Sequence, residues 1–369
     1  MVDLQGQYQR IQPEMDDAIR RVIHAAEFIQ GPAVKQFESS LSHYVGGAHV
    51  ISCGNGTDAL QIAMMALDLQ PGDEVIVPVH TYVATAEVIA LLRLVPVFAE
   101  VHPDTFTLDP KGVETLITPR TRAMVPVHLY GQCANLEPLE KIAKRHGIHI
   151  IEDAAQSLGA VYRYSDGRKV HGGTAGIIGT TSFFPSKNLG AFGDGGALFT
   201  RDQALADRLR MIANHGQQKK YQHDVIGVNS RLDTLQAAIL SVKLNYLDDY
   251  AARRQAVADY YDKHLAGVPF LQLPGRASYS SHVFHQYTVR TKGVDRDALK
   301  AYLQEKGVPT MIYYPIPLHL QAAYRKPGVS DGAFPITEQL SRTVLSLPVH
   351  TEMEEDQLSY ICEAIGQFG

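Results

Sequence analysis

Cysteine is scarce. Cys53, Cys133 and Cys362 are the only three in 369 residues, and none forms a C-x-x-C pair. That excludes a disulfide framework, a cysteine zinc site and a thioredoxin-type redox motif, and points to a reducing, cytoplasmic setting. Positive charge is not in excess either. Lys and Arg number 34 against 39 Asp and Glu, for a net charge of -5. No overall basic field is available for nucleic acid or an anionic membrane. Long apolar runs are missing as well. The most apolar long stretch, Val83 to Ala99, carries Glu87 and Arg93 and is broken by Pro96, so no membrane insertion is expected. The opening Met1-Val2-Asp3-Leu4-Gln5 is polar and acidic, unlike a signal peptide. The Asn55-Gly56-Thr57 sequon is therefore discarded as a glycosylation site. The 16 histidines show no H-E-x-x-H spacing, so no metal is expected.

What is present is an ordinary globular balance, 45% hydrophobic and 20% charged, long enough for two or three domains. From about residue 49 to 200 short apolar runs alternate with helix-length amphipathic stretches. The pattern predicts strands at 49–52, 74–77, 95–99, 123–127 and 148–152, and helices at 57–69, 81–93, 110–117 and 135–146. Such alternation implies a mostly parallel sheet with helices on both faces. The glycine-rich 162–174 reads as a surface hairpin whose His171 is a solvated loop residue or, less simply, a sugar contact. One long helix is predicted from Arg231 to about Leu265. Beyond it come a strand at 286–290, a helix near 295–306, a strand near 308–312 and a final helix near 354–366. The domain boundary falls near 245–265, giving a large domain at 1–250 with an N-terminal arm and a small one at 251–369.

Three clusters could carry chemistry. Gly54-Asn55-Gly56-Thr57-Asp58-Ala59 follows a strand and opens a helix, where backbone N–H groups bind phosphate. It also fits the G-x-G-x-x-[GA] pattern. A dinucleotide site, however, wants an acid ending the next strand, and Glu74 begins it. A plain glycine turn is the bland alternative. Ile150-Ile151-Glu152-Asp153-Ala154-Ala155-Gln156 ends an apolar strand in two acids, which serve either a ligand crevice or a helix cap. Phe183-Phe184-Pro185-Ser186-Lys187-Asn188 sets one lysine between aromatics and glycines. Such a lysine either loses solvation and becomes a nucleophile or is a solvated loop residue. Taken together, a phosphate cradle, a strand-end aspartate and a later lysine are what pyridoxal phosphate needs.

Seven stretches then stand in order: Asn-Gly-Thr-Asp-Ala-Leu (55–60), Thr-Tyr-Val-Ala-Thr (81–85), Glu-Asp-Ala-Ala-Gln-Ser (152–157), Ser-Phe-Phe-Pro-Ser-Lys (182–187), Gly-Asp-Gly-Gly (193–196), Asn-Ser-Arg-Leu-Asp (229–233) and Tyr-Pro-Ile-Pro-Leu-His (314–319). In these the chain closely resembles the DegT/DnrJ/EryC1/StrS nucleotide-sugar aminotransferases, over essentially its whole length. The resemblance implies an α/β fold, PLP fold type I (aspartate aminotransferase-like). A large mostly parallel-sheet domain would be joined to a smaller C-terminal α/β domain, in a homodimer with shared active sites. It implies that Lys187 bonds the cofactor and shuttles protons, and that Asp153 pairs with the pyridine nitrogen. Gln156 would meet the ring hydroxyl, Tyr82 stack on the ring, and Gly56, Thr57 and Ser182 hold the phosphate. Asn229 would reach the phosphate of the other subunit.

The related 3-dehydratases have histidine at the lysine position, so Lys187 favours transamination. The cofactor would be pyridoxal 5'-phosphate, and pyridoxamine 5'-phosphate in the second half-reaction, with L-glutamate as donor and a nucleotide-linked keto-sugar as acceptor. Leu129 to Ala134 and Gly227 to Gln236 look most like enzymes that aminate C3 of UDP-2-acetamido-3-keto-glucuronate, for bacterial O-antigen and related polysaccharides. Arg231 is the candidate partner of the uronate carboxylate, or a structural or interface arginine. Tyr313 (where such enzymes can have histidine), Tyr314 and His319 are the other candidate substrate contacts. The alternatives are a 3- or 4-aminotransferase on a dTDP-keto-6-deoxyhexose and, more distantly, a dinucleotide oxidoreductase or a non-catalytic paralogue.

Overall fold

The computed structural model of the chain describes residues 1–325 and 331–368. Three helices come first: α1 (Leu4–Arg10), α2 (Gln12–Ala25) and α3 (Pro32–Tyr44). The alternating region follows as β1 (His49–Cys53), α4 (Gly56–Ala66), β2 (Glu74–Pro78), α5 (Ala84–Leu91), β3 (Val95–Ala99), α6 (Pro110–Val113), β4 (Thr121–Met124), α7 (Leu136–His146) and β5 (His149–Asp153). A hairpin, β6 (Val161–Arg163) and β7 (Lys169–His171), precedes β8 (Ile178–Ser182) and β9 (Gly196–Thr200). Next come α8 (Gln203–Ala213), a short hairpin of β10 (Gln217–Lys219) and β11 (Gln222–His223), and helices α9 (Thr234–Leu244) and α10 (Leu247–Leu265). The chain ends through β12 (Leu271–Gln272), β13 (Tyr287–Thr291), α11 (Arg296–Glu305), α12 (Pro335–Thr343), β14 (Val344–Leu347) and α13 (Glu355–Gly366).

Seven strands form the main sheet in the order β1-β9-β8-β5-β4-β2-β3, and only β9 runs antiparallel to its neighbours. Side chains alternate across a strand, so each strand feeds two cores. Val75, Val77, Ala123, Val125, Ile151 and Leu198 face α4, α5 and α8. Their neighbours Ile76, Met124 and Ile150 face α7 on the other side. Toward β1 and β9 that second face is covered by α3 and α9, which bury Val50, Ala197 and Phe199. A separate cluster joins α10, α11, α13, β13 and β14. Helix α10 spans both cores, with Leu247 in the first and Val257 to Leu265 in the second.

The expected helix from Arg231 to Leu265 is two helices. Asn245 and Tyr246 donate to Val242 and Lys243, three residues back, and the chain turns there. Such tightened turns interrupt the helix but keep its apolar phase, so the periodicity runs through the break. The expected strand at 308–312 is absent. Met311 alone bridges Ser346, and β13 pairs instead with β12 and β14. Pro309 lacks an N–H for a ladder. Helix 81–93 starts at Ala84, helix 57–69 ends at Ala66, and 110–117 is one short α-helix running into a 3-10 turn. The hairpin around 162–174 forms, but His171 is half-buried against Tyr44 rather than solvated.

Strand β5 is anchored by a charge. Glu152 and His128 are both fully buried and 2.8 Å apart. His128 Nδ1 accepts from the Ala134 N–H, so its proton sits on Nε2 and points at Glu152. The carboxylate also accepts from the N–H groups of Gly173, Ala175 and Gly176 at 2.6–2.9 Å. Burial pushes its pKa up, but the His128 bond and the backbone donors outweigh that and hold it below the ordinary value. A depressed carboxylate stabilises the fold above its unfolded pKa, and that contribution is lost as pH falls through the folded value. Glu152→Leu strands four buried donors, and we expect it to cost about 3–5 kcal/mol in chemical denaturation at pH 7. A loss under about 0.5 kcal/mol would contradict this account of the strand.

Candidate active site

The carboxyl ends of β1, β5 and β8 meet in one crevice, where an open α/β sheet binds its ligand. At β1 the chain turns into α4. Asn55 caps the helix by accepting the Asp58 N–H at 2.8 Å, and Ala59 N–H goes to the Asn55 carbonyl. The N–H groups of Gly56 and Thr57 therefore have no acceptor within the helix. Ser182, ending β8, lies against Gly56 so closely that a Cβ there would come 2.7 Å from the Ser182 Cβ. Ser182 Oγ accepts from the Phe184 N–H, which leaves its own proton to donate. Two backbone donors at a helix start and one hydroxyl, in a space only glycine keeps open, fit a phosphate.

At β5, Asp153 is buried and fixed. Thr85 Oγ1 donates to one carboxylate oxygen at 2.9 Å and the Ala155 N–H to the other at 3.1 Å. Gln156 is fixed too. Its Oε1 accepts from the Tyr130 N–H at 2.8 Å, so its amide NH2 must face the crevice side, where Nε2 lies 3.2 Å from the Tyr314 hydroxyl. Tyr82 is 57% exposed, with its ring 6.2 Å from that of Tyr314. An anion for a ring nitrogen, a donor for a ring hydroxyl and an accessible aromatic face suit a pyridinium ring.

Lys187 follows β8 on a tight turn. Its N–H goes to the Phe184 carbonyl at 2.8 Å, and a Cβ on Gly190 would strike the Pro185 carbonyl at 2.2 Å. The turn is braced from outside. Lys243 of α9, buried, donates to the Gly190 carbonyl at 2.7 Å, and Asn188 Nδ2 donates to the Val283 carbonyl at 3.0 Å. Burial lowers the Lys187 pKa from 10.5 to about 8, with Asp153 holding it partly up. An amine of that kind is half neutral near pH 8, so it is both a nucleophile and a proton carrier.

The structure thus gathers Gly56, Thr57, Ser182, Asp153, Gln156, Tyr82, Lys187 and Tyr314. It does not bring Asn229 to its own cradle: that residue is exposed and its side chain bonds nothing described. Its neighbour Ser230 is tied behind the cradle turn, accepting from the Gly54 N–H and donating to Asp58. Arg231 lines a separate cavity of about 460 Å³ with Gln30, Lys35 and Asn214, and its guanidinium has no partner among the described residues. Tyr313 is half-buried beside the crevice. His319 is turned inward, 1% exposed, with Nε2 3.2 Å from Glu338 and its ring against Phe334. Thr85, Tyr130 and Lys243 carry no role in the sequence reading. Thr85 and Tyr130 lie inside stretches that were singled out, while Lys243 looked like any helix lysine.

Fold and site together define a pyridoxal-phosphate transaminase of fold type I. The chain belongs to the DegT/DnrJ/EryC1/StrS aminotransferase family, whose profile matches residues 9–366. It is 46% identical to a UDP-2-acetamido-2-deoxy-3-oxo-D-glucuronate aminotransferase of Pseudomonas aeruginosa, covering 99% of this chain and 98% of that one. It is 44% identical to a dTDP-3-amino-3,4,6-trideoxy-alpha-D-glucose transaminase of Streptomyces venezuelae, covering 100% and 95%. Among solved structures, S. venezuelae DesV in complex with a ketimine intermediate superposes with a TM-score of 0.94 at 44% identity, over 99% of this chain and 97% of that one. Bacillus subtilis NtdA with bound PMP gives 0.87 at 32%, over 96% and 80%. The chain is a nucleotide-sugar aminotransferase, and its cofactor is pyridoxal 5'-phosphate. No described helix is long and apolar enough to cross a membrane.

The Lys187 pKa gives a direct check. Uptake of pyridoxal phosphate by cofactor-free protein, followed by absorbance, needs the neutral amine. Its rate should rise with pH around a midpoint near 8. Asp153→Asn removes the charge that holds the ammonium, so the midpoint moves lower. A wild-type midpoint near the ordinary lysine value, or an upward move in the variant, would contradict the assignment.

Proposed function

We propose that this enzyme moves the amino group of L-glutamate to C3 of a nucleotide-linked keto-sugar, UDP-2-acetamido-3-keto-glucuronate, for bacterial surface polysaccharide. It would work in the cytoplasm as a homodimer with shared active sites. The observation that carries the choice of sugar is Arg231. A guanidinium outside its own chain's crevice, with no carboxylate partner among the described residues and two positions on from Asn229, would reach the other subunit's site and meet there a carboxylate that arrives with the substrate, which its planar fork binds by two parallel bonds. The Pseudomonas relative, named for an acidic sugar, supports the same reading.

The residues divide the work. Bound pyridoxal phosphate supplies an electron sink for the carbanion formed when a proton leaves the substrate carbon. Gly56, Thr57 and Ser182 hold its phosphate, and Asn229 of one subunit reaches toward the other's. Asp153, oriented by Thr85 and the Ala155 N–H, keeps the ring nitrogen protonated. Gln156 presents its amide NH2 to the ring hydroxyl because the Tyr130 N–H occupies its carbonyl oxygen. Lys187 would bond the cofactor at rest and, as a free amine, would carry the proton off and onto carbon in each half-reaction. Its lowered pKa lets it accept and return that proton near neutral pH. Tyr82 covers the ring face. Exposed apolar groups, Phe28, Ile29, Phe184 and Ile226 among them, suit burial against a second subunit.

A dTDP-keto-6-deoxyhexose is the second reading, favoured by the Streptomyces relative at nearly the same identity. Comparing kcat/KM on the two sugars decides between them. We expect the uronate to be preferred, and Arg231→Ala to lower its kcat/KM about 100-fold, as loss of a bidentate charged contact does. The neutral sugar should lose less than about threefold. An equal loss on both sugars would sink the carboxylate role, and a wild-type preference for the neutral sugar would overturn the choice of substrate.

A further inference from the structure

Tyr130 sits where five segments converge beside the site, and its backbone is unusual. It is 2% exposed and adopts a left-handed conformation, φ +59°, that a side-chain-bearing residue seldom takes. Strained backbone of this kind persists only where the surroundings hold it. Here they do. Its N–H is on Gln156 Oε1 at 2.8 Å, and its carbonyl accepts from the Gln286 N–H at 3.1 Å. Its hydroxyl lies 3.1 Å from His80 Nε2 and bonds the Tyr313 carbonyl. Its ring packs edge-on against Phe106.

The direction of the hydroxyl bonds follows from chemistry. A carbonyl only accepts, so Tyr130 donates to Tyr313. The hydroxyl must then accept from His80, whose proton is on Nε2. The chain His80 to Tyr130 to Tyr313 is therefore one-way. It ends on the loop 311–316, whose two ends are tied by backbone bonds. Met311 pairs with Ser346 through both backbone groups, at 3.1 and 2.8 Å, and the Leu318 N–H meets the Val79 carbonyl at 3.3 Å. Between those ends lie Tyr313 and Tyr314, and the Tyr314 hydroxyl shares the amide of Gln156. Tyr130 thus grips the same loop and the same glutamine from opposite sides, one with its hydroxyl and one with its N–H.

We propose that Tyr130 is a positioning residue for the sugar half-reaction. Its hydroxyl docks the 311–316 loop against the cofactor site and so sets Tyr313 and Tyr314 for the acceptor sugar, while its N–H independently orients Gln156. This rests on reading that loop as the sugar-facing wall. The two functions separate because only one depends on the side chain. Tyr130→Phe keeps the ring and the N–H and removes the hydroxyl alone.

The test uses the cofactor-loaded enzyme. In Tyr130→Phe, amide hydrogen exchange across 311–316 should speed up by about tenfold, the equivalent of about 1.4 kcal/mol of docking. The KM for the keto-sugar should rise by a similar factor. The glutamate half-reaction should slow by a clearly smaller factor than the sugar half-reaction, since the Tyr130 N–H contact to Gln156 is kept. His80→Leu, which removes the donor behind the hydroxyl, should move exchange and KM the same way by a smaller factor. It also serves if Tyr130→Phe does not fold. Unchanged exchange in the loop would overturn the proposal whatever the sugar proves to be. So would equal slowing of both half-reactions, the mark of a purely structural residue. If the wild type turned over no keto-sugar, the reading of the loop as sugar-facing would fail, while the exchange result would still decide whether Tyr130 docks it.

Discussion

A fully buried carboxylate, Glu152, needs donors on every side, and meeting that need shapes the site. Its four donors come from His128 and from three backbone N–H groups of the 173–176 turn, those of Gly173, Ala175 and Gly176. Those contacts lock β5 to the segment entering β8, and β5 and β8 are the neighbouring parallel strands that carry Asp153 and Ser182. Side chains alternate along a strand, so fixing Glu152 on one face sets Asp153 on the other. The distance between the cradle and the ring end of the crevice is thereby set by backbone pairing and one internal charge rather than by flexible side chains. Catalysis by preorganised groups needs that rigidity.

The second constraint is electrostatic. In the role proposed for it, Lys187 would be neutral often enough to attack and to take a proton, while lying near an anion that tends to keep it charged. Burial wins over Asp153 and leaves the pKa at about 8. Among the described residues, the charged side chains that brace this turn and the core beside it are cations. Lys243 and Arg254 are buried and donate to carbonyls, at Gly190, Phe284 and Val349, with the Lys243 ammonium also over the Phe192 ring. Burial, with the charges of Lys187 and Arg254, keeps His285 well below the ordinary histidine range. The turn bearing Lys187 is thus braced without a charge that would pin the ammonium in its protonated form.

Much of this was legible in the amino-acid order. Strands β2 and β5 read as strands because both faces are covered, which leaves unbroken apolar runs such as Val75 to Val77 and Ile150 to Ile151. The cradle, Asp153 and Lys187 lie in local patterns whose chemistry is carried by a few adjacent residues. What escaped was contact between distant residues. Thr85 meets Asp153 across 68 positions, Tyr130 meets Gln156 across 26, and Lys243 meets Gly190 across 53. No periodicity records such pairs. The final part was hard for a local reason. Helix α12 passes into β14 at Thr343-Val344 with no glycine or proline between them, so no stop signal marks the change. His319 sat in a suggestive motif, but the structure gives its ring nitrogen to Glu338.

The central claim is a two-step transfer through one lysine-bound cofactor. A visible absorbance titration of the loaded enzyme tests it most directly, with L-glutamate added first and UDP-2-acetamido-3-keto-glucuronate, generated in place, second. The account predicts that the band of the Lys187-bound cofactor disappears with glutamate and returns with the sugar. A band that glutamate leaves untouched, or a purified protein that shows none even after pyridoxal phosphate is supplied, would contradict it.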